Sequence, residues 1–297
     1  MALAVAARPV GHFAPLAPPR DGPWDLAAMQ TLEDTAAAWA FQPAEQVVNR
    51  QWEWVQQYWG GTVLPPMPDP QWHWQPWLVA LLLVLGPRAV TAGMDAVTVI
   101  AWVRQQPPGV IPRQGPTGTP WSQRVRAALH PVVADVTARL EAWQQAVTET
   151  LHTVVTGAKR AVLTLTKLRD GIADHFTGWG QDLGRLVQTE LSAARADAIL
   201  ETATEAWARV QTMPGACAVC RRSFDGKVFR IRKKAPEDVA AHAEDSLWPG
   251  KWTLNWDRKA ADQWPAVPRH PRCRCRVIPI KEKKAEERTV HVHKTAD

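Results

Sequence analysis

The chain has 297 residues, of which 46% are hydrophobic, so it can form two domains with buried cores and is too apolar to be a disordered protein. Lysine and arginine outnumber aspartate and glutamate by 35 to 29, and this net charge of +6 favours an anionic partner. The 4 cysteines are too few and too clustered for a secreted disulfide scaffold, which points to assembly in a reducing cytoplasm.

The sequence shows neither a signal peptide nor a membrane-spanning segment. The apolar residues Ala2–Ala7 lack the charged start and the long apolar run of a secretory signal. The longest apolar run, Trp77–Leu85, has about half the length that a membrane span needs. We therefore expect no membrane span.

An arm and a helical region are predicted for the first part of the chain. Residues 1–23 contain five prolines and little periodicity, which predicts an extended arm. Within residues 24–106, apolar residues recur at spacings of three and four, which predicts helices, with Pro43 dividing the first stretch in two. Two shorter helices are expected over residues 77–85 and 89–104.

The helical region at 24–106 is rich in tryptophan. Nine of the seventeen tryptophans lie in the first 110 residues. Large rings in a helical segment most often form core, but this region has more apolar surface than a few short helices bury alone. We expect it to dock on other subunits.

A linker and a helical bundle are predicted next. Eight of the fourteen residues at 107–120 are proline or glycine, which predicts the linker. Residues 121–210 carry three apolar stripes at helical spacing, interrupted near Gly157 and again at Gly178 and Gly180. This pattern predicts three antiparallel helices joined by glycine turns.

All four cysteines belong to two short clusters. Cys217 and Cys220 form a C-x2-C pair, and the segment His270-Pro-Arg-Cys273-Arg-Cys275 follows about 50 residues later. Such pairs predict the two halves of one closed, structural zinc site. Cys217, Cys220 and Cys273 are the first three ligands, and either His270 or Cys275 takes the fourth place. The alternatives are four reduced thiols without a metal, or a disulfide between the clusters.

The residues around these clusters predict a small α+β module at 211–280. The segment Lys227–Arg232 alternates like a strand, and Val277–Ile280 is expected to be its neighbour in a sheet. Four tryptophans are expected to cover the core of this module, at positions 248, 252, 256 and 264. The predicted fold is mainly α, with an N-terminal helical region and a three-helix bundle followed by this zinc-stabilised module.

The surplus positive charge is concentrated beside the cysteines. Residues 221–234 include seven basic residues and one acid, and further arginines flank the second cluster. A surface of this kind tracks phosphates without reading bases, so we expect salt-sensitive, sequence-independent contact with double-stranded DNA. A solvated surface, or one paired with an acidic protein, is the alternative. The candidate residues are Arg221, Arg222, Lys227, Arg230, Arg232, Lys233, Lys234, Arg272, Arg274 and Arg276.

No catalytic motif is found. The sequence contains no phosphate-binding glycine loop, no H-E-x-x-H and no G-x-S-x-G, so a non-enzymatic role is expected. The highly charged tail at 281–297 is nearly balanced in sign, and its histidines, His291 and His293, are expected to be solvated.

The stretch from about residue 183 to 280 resembles the phage Mu F-like head morphogenesis (minor head protein) family. The resemblance rests on Cys217-x-x-Cys220-Arg, on Phe224-Asp-Gly-Lys-Val-Phe229 and on His270-Pro-Arg-Cys-Arg-Cys275 followed by a short apolar strand. Upstream, Gln188-Thr-Glu190 and Ala194-Arg-Ala-Asp197 resemble a helical polar element of the family. The chain departs from the family pattern at Ala218, Gln188 and Asp197, where Pro, Arg and Asn are usual.

The resemblance implies a virion component of a tailed bacteriophage. It implies a minor head protein near the portal vertex, assembled in the host cytoplasm in multiple copies per particle. Portal protein, major capsid protein or both would be its partners, together with packaged DNA. A different class remains open, namely a zinc-framed DNA-binding protein or nuclease with His270 as the base, although no supporting acid is found for it.

Overall fold

The structure is a computed structural model that describes residues 26–59, 75–116, 118, 120–160, 163–212, 216–256, 264–273 and 275–281. The predicted arm at 1–23, the tail beyond Lys281 and Arg274 lie outside the described residues. The chain divides into two compact units, residues 1–191 and residues 192–297. This division falls inside a helix, whereas the clearest sequence boundary was the linker at 107–120.

The first unit is helical. Helix α1 spans Leu26–Tyr58, α2 spans Pro76–Thr91, α3 spans Ala96–Arg104 and α4 spans Gln123–Arg160. Helix α5, Leu165–Thr202, contributes its residues up to Leu191. Helix α2 is apolar on all sides and buried from Val79 to Leu85, because α1, α3 and α4 pack around it.

The three-helix packing in this unit involves α1, α4 and α5. A second apolar cluster joins Trp52 of α1, Leu151 of α4 and Phe176 of α5, all of which are at most 5% exposed. The sequence predicted three helices within 121–210 alone, with a break at Gly178 and Gly180, and this break is wrong. The apolar stripe continues through both glycines as Phe176, Trp179 and Leu183, so α5 stays helical.

The predicted division at Pro43 is also wrong. Helix α1 runs through this proline, which removes one hydrogen bond of the helix at a cost of about 3 kcal/mol. Ala40 and Ala44 on either side are at most 1% exposed. Burial of a continuous apolar face therefore outweighs the lost hydrogen bond.

The second unit contains the end of α5 and a four-stranded sheet. Its elements are β1 (Trp207–Gln211), α6 (Ala218–Phe224), β2 (Val228–Ile231), β3 (Ser246–Leu247), α7 (Lys251–Trp256) and β4 (Arg276–Ile280). The strand order is β3-β2-β1-β4; β1 is antiparallel to both neighbours, and β2 is parallel to β3. The mainly α fold with a small C-terminal α+β module is thus confirmed.

Two details of the sheet differ from the prediction. The helical bundle is expected to extend to residue 210, but Trp207–Gln211 form β1, with Ala208 and Val210 buried in alternation. Strand β1 therefore lies between β2 and β4, which were expected to be direct neighbours. The core includes Phe229, Trp248 and Trp252. Of the other two predicted tryptophans, Trp264 is half-buried, and the side chain of Trp256 lies outside the described part of the structure.

None of the helices in the described part of the chain combines the length and the apolar character that a membrane crossing requires.

We expect the two glycines of α5 to respond differently to alanine. A Cβ atom at Gly178 would have no neighbour within 4 Å, whereas one at Gly180 would lie 3.2 Å from Cε2 of Phe41. Gly178→Ala should raise the free energy of unfolding by about 0.5–1 kcal/mol, because alanine is the better helix former. Gly180→Ala should gain less or lose stability. Urea unfolding followed by circular dichroism measures both, and a loss of stability in Gly178→Ala would contradict a continuous helix.

Candidate metal centre

The first cysteine pair lies at the start of helix α6. Cys217 is the N-cap residue, and its Sγ accepts a hydrogen bond from the backbone N–H of Cys220 at 3.4 Å. This cap fixes both side chains on the first turn of the helix. Cys217 is exposed, and Cys220 is 2% exposed.

The second cluster lies in a tight turn before strand β4. The backbone N–H of Cys273 donates to the carbonyl of His270 at 3.0 Å, and Arg272 adopts the left-handed φ of 63°. Cys275 directly precedes Arg276, the first residue of β4. The pairing of β4 with β1 therefore holds this turn in place.

The two clusters meet, as the sequence predicted. His270 Nε2 lies 3.2 Å from Cys217 Sγ and 3.1 Å from Cys220 Sγ, and Cys220 Sγ lies 3.7 Å from Cys273 Sγ. The ligand atoms form two groups, Cys217–Cys220–His270 and Cys220–Cys273–Cys275, each within 4.8 Å. All four cysteines are free, so a disulfide does not join the clusters. The five side chains can hold a metal ion, and Cys220 belongs to both groups.

Part of the geometry agrees with a tetrahedral ion, although the five ligand atoms form two groups that share Cys220 and not one group within 4.8 Å. Metal–sulfur bonds of about 2.3 Å separate two sulfurs by about 3.8 Å and a sulfur from a nitrogen by about 3.6 Å. The Cys220–Cys273 distance of 3.7 Å matches the first value. The sulfur–nitrogen distances of 3.1 and 3.2 Å are somewhat shorter than the second.

The orientation of His270 favours coordination. Its Nδ1 lies 2.7 Å from the carbonyl oxygen of Pro271, which can only accept a hydrogen bond, so Nδ1 carries the proton. In the neutral ring this leaves the lone pair on Nε2, the atom that faces the two sulfurs. Backbone hydrogen bonds orient ligand histidines in metal sites in this way.

The thiols share protons among themselves. Hydrogen bonds to Cys273 and Cys275, together with burial, raise the pKa of Cys220. Hydrogen bonds from Cys220 and then Cys275 lower the pKa of Cys273 far below its ordinary value. Burial would raise the pKa of Cys217, but hydrogen bonds from Cys220 and the charge of His270 outweigh it and the pKa is lowered. A cation would replace the shared protons.

Two buried cations accompany this cluster. Arg269 is 6% exposed and donates to the carbonyl of Trp264 at 2.7 Å. Burial lowers its pKa, and negative charge on the cysteine cluster and on Glu244 opposes this. Lys251 is 2% exposed and donates to the carbonyls of Ala243 and Ser246 at 2.5 and 2.6 Å. Arg269 is among the arginines beside the second cluster that the sequence places on the basic surface, and its burial corrects this prediction. Nothing in the sequence singled out Lys251.

Some of the predicted DNA-binding residues are buried or bonded to other groups of the module. Arg232 donates to Ser246 and pairs with the ring of His242, Lys233 donates to the last carbonyls of α5, and Arg276 is 5% exposed. The other described members are exposed, namely Arg221, Arg222, Lys227, Arg230, Lys234 and Arg272. Three of the ten predicted contacts are therefore engaged or buried inside the module.

The polar residues of α5 singled out by the sequence are structural. In the first unit, Gln188 and Thr189 are 3% exposed, and Glu190 forms an ion pair with Arg139 at 2.9 Å. In the second unit, Asp197 accepts a hydrogen bond from the backbone N–H of Gly250 at 2.9 Å, which ties α5 to the start of α7.

Lys251 should make the stability of the protein depend on pH. Burial lowers its pKa to about 7 from 10.5, so between these pH values the unfolded chain binds more protons at this residue than the folded chain. The free energy of unfolding should then rise with pH above 7, by at most about 1.4 kcal/mol per pH unit, and be unaffected by Lys251 below it. Urea unfolding of the wild type and of Lys251→Met at pH 7 and pH 9 measures this. Equal pH dependence in both proteins would show that Lys251 keeps its charge when folded.

No protein-family model, no curated protein and no solved structure matches the chain. The function must therefore be argued from the residues of this chain, above all from the five candidate ligands.

Proposed function

We propose that the chain is a non-enzymatic minor head protein of a tailed bacteriophage, whose C-terminal module is stabilised by structural zinc. The observation that carries the proposal is the meeting of Cys220 with both His270 and Cys273, from segments about 50 residues apart. These two segments are the two halves of the motif that resembles the Mu F-like family. Because the two segments meet at Cys220, the structure is consistent with a motif that acts as one metal-binding unit.

Zinc is the metal that this donor set fits best. Thiolates and imidazole in a tetrahedral arrangement are typical of structural zinc sites. We assign Cys217, Cys220, His270 and Cys273 as the ligands, because the Nε2 lone pair of His270 faces two sulfurs. Three thiolates and Zn²⁺ carry a net charge of −1, which the buried Arg269 balances. Cys275, within 4.8 Å of Cys220 and Cys273, is then a neighbouring thiol.

A structural role for the metal is favoured over a hydrolytic one. Among the described residues, neither group of ligand atoms contains a carboxylate. The Nε2 atom of His270 faces sulfur, so it is poorly placed to act as the base of a nuclease. A four-ligand site of this kind leaves no position for a reactive water.

In such a protein the two units would have different roles, docking on other subunits and contact with DNA. In the proposal, the tryptophan-rich helices of the first unit dock on portal protein, on major capsid protein or on both, in multiple copies near the portal vertex. The basic zinc module faces packaged DNA through sequence-independent phosphate contacts. Assembly takes place in the host cytoplasm, and the finished protein resides in the virion.

Single substitutions should identify the zinc ligands. Cys220→Ser should abolish zinc retention, because Cys220 belongs to both groups, and should unfold much of the second unit. Cys275→Ser should retain one zinc per chain, and the exposed Val219→Ser is the control on the same helix. Metal content after dialysis and near-ultraviolet circular dichroism measure these outcomes. Zinc retained by His270→Ala but lost in Cys275→Ser would overturn the assignment.

Association with the phage head tests the proposed function. The protein should co-purify with portal or capsid subunits and be found in purified particles, and it should leave DNA intact in the presence of Mg²⁺. Cys220→Ser should be absent from particles, whereas Val219→Ser should be incorporated. Cleavage of DNA that disappears in His270→Ala, while zinc stays bound, would favour the nuclease instead.

A further inference from the structure

A cleft of about 710 Å³ opens in the second unit beside strands β1 and β2. The end of β1, the turn after α6 and the end of β4 line it. Arg209, Lys227 and Lys281 are exposed cations in this lining, and Asp225 is its only acid. Three positive charges and one negative charge give the lining a net charge of +2.

The single acid is already engaged. The hydroxyl of Thr212 donates a hydrogen bond to the Asp225 carboxylate at 2.8 Å. Between the charged residues, the lining includes Phe224 and Val228. The lining therefore combines apolar and positively charged side chains, and an anionic ligand fits it by charge complementarity.

Helix α6 couples the cleft to the metal centre. Cys220 and Phe224 lie one turn apart on this helix, and the Phe224 ring packs edge-on against Phe229 of β2, with centroids 6.2 Å apart. The backbone N–H of Lys227 donates to the carbonyl of Phe224 at 3.0 Å. The ligands that fix α6 therefore also position one wall of the cleft.

We propose that this cleft is where the module holds the phosphate backbone of duplex DNA, with Arg209, Lys227 and Lys281 against neighbouring phosphates. The inference rests on the proposed DNA-facing role and names its surface. Of the sequence-suggested cations that the structure describes, only Lys227 lines the cleft, while Arg232, Lys233 and Arg276 are engaged or buried. Arg209 and Lys281 are new members of the surface.

Salt-dependent binding tests the cleft. The full-length zinc-loaded protein is titrated into a fluorescent 20-base-pair duplex of arbitrary sequence, and anisotropy gives the affinity between 50 and 200 mM NaCl. The cleft variant carries Arg209→Gln, Lys227→Gln and Lys281→Gln. The control variant carries Arg221→Gln, Arg222→Gln and Lys234→Gln, which remove the same charge from exposed positions outside the cleft.

The cleft variant should bind at least tenfold more weakly than the wild type at 100 mM NaCl. Its plot of log affinity against log salt should be shallower by two to three, because each lost phosphate contact contributes about 0.9. The control variant should change the slope by less than one. Chelation of zinc should lower the affinity of the wild type, and both variants should keep their zinc and their circular dichroism.

The other possible results would each contradict one part of the proposal. Equal losses in the two variants would show that binding is spread over the surface, and no loss in the cleft variant would place DNA elsewhere. A wild type without salt-dependent binding would refute the DNA-facing role itself. If the cleft variant binds DNA normally but no longer co-purifies with portal or capsid protein, the cleft takes an acidic protein segment.

Discussion

The contact on which the second unit depends is the meeting of Cys220 with His270 and Cys273. Without a metal, these groups would bring several thiols and an imidazole into one partly buried place, with protons shared between sulfurs. That arrangement is costly unless a cation replaces the protons. Because α6 begins at the first cysteine pair and β4 directly follows the second, the same cation would fix a helix and a strand of the module.

Hydrogen bonds of buried polar groups also hold parts of the module together. The ammonium of Lys251 donates hydrogen bonds to the carbonyls of Ala243 and Ser246, and Asp197 of α5 accepts one from the backbone N–H of Gly250. These contacts order the long connection between β2 and β4, whose described residues form a single 3-10 turn at Ala240–His242, the two-residue strand β3 and the short helix α7. A metal and a few buried charges thus compensate for the small core that a module of this size can build.

Much of this structure could be predicted from the sequence, and the failures share a physical cause. Helical periodicity identified the helices, and cysteine spacing identified the metal cluster and its five candidate ligands. Local propensity predicts helix breaks at Pro43, Gly178 and Gly180. Burial of a continuous apolar face outweighs that preference, so the helices continue through all three residues. Strand β1 was missed because its five residues follow a long helical pattern. Neither the burial of Arg276 nor the cleft could be predicted, since both depend on which strands become neighbours.

Lys233 shows how the basic residues of this chain serve its own architecture. Its ammonium donates to the carbonyls of Leu200, Glu201 and Ala203, the unsatisfied groups at the end of α5. Since Lys233 follows β2 by two residues, the final turn of the helix and the sheet are expected to open together. Hydrogen exchange at the amides of residues 198–202 would then report the integrity of the whole module, far from any cysteine in the sequence.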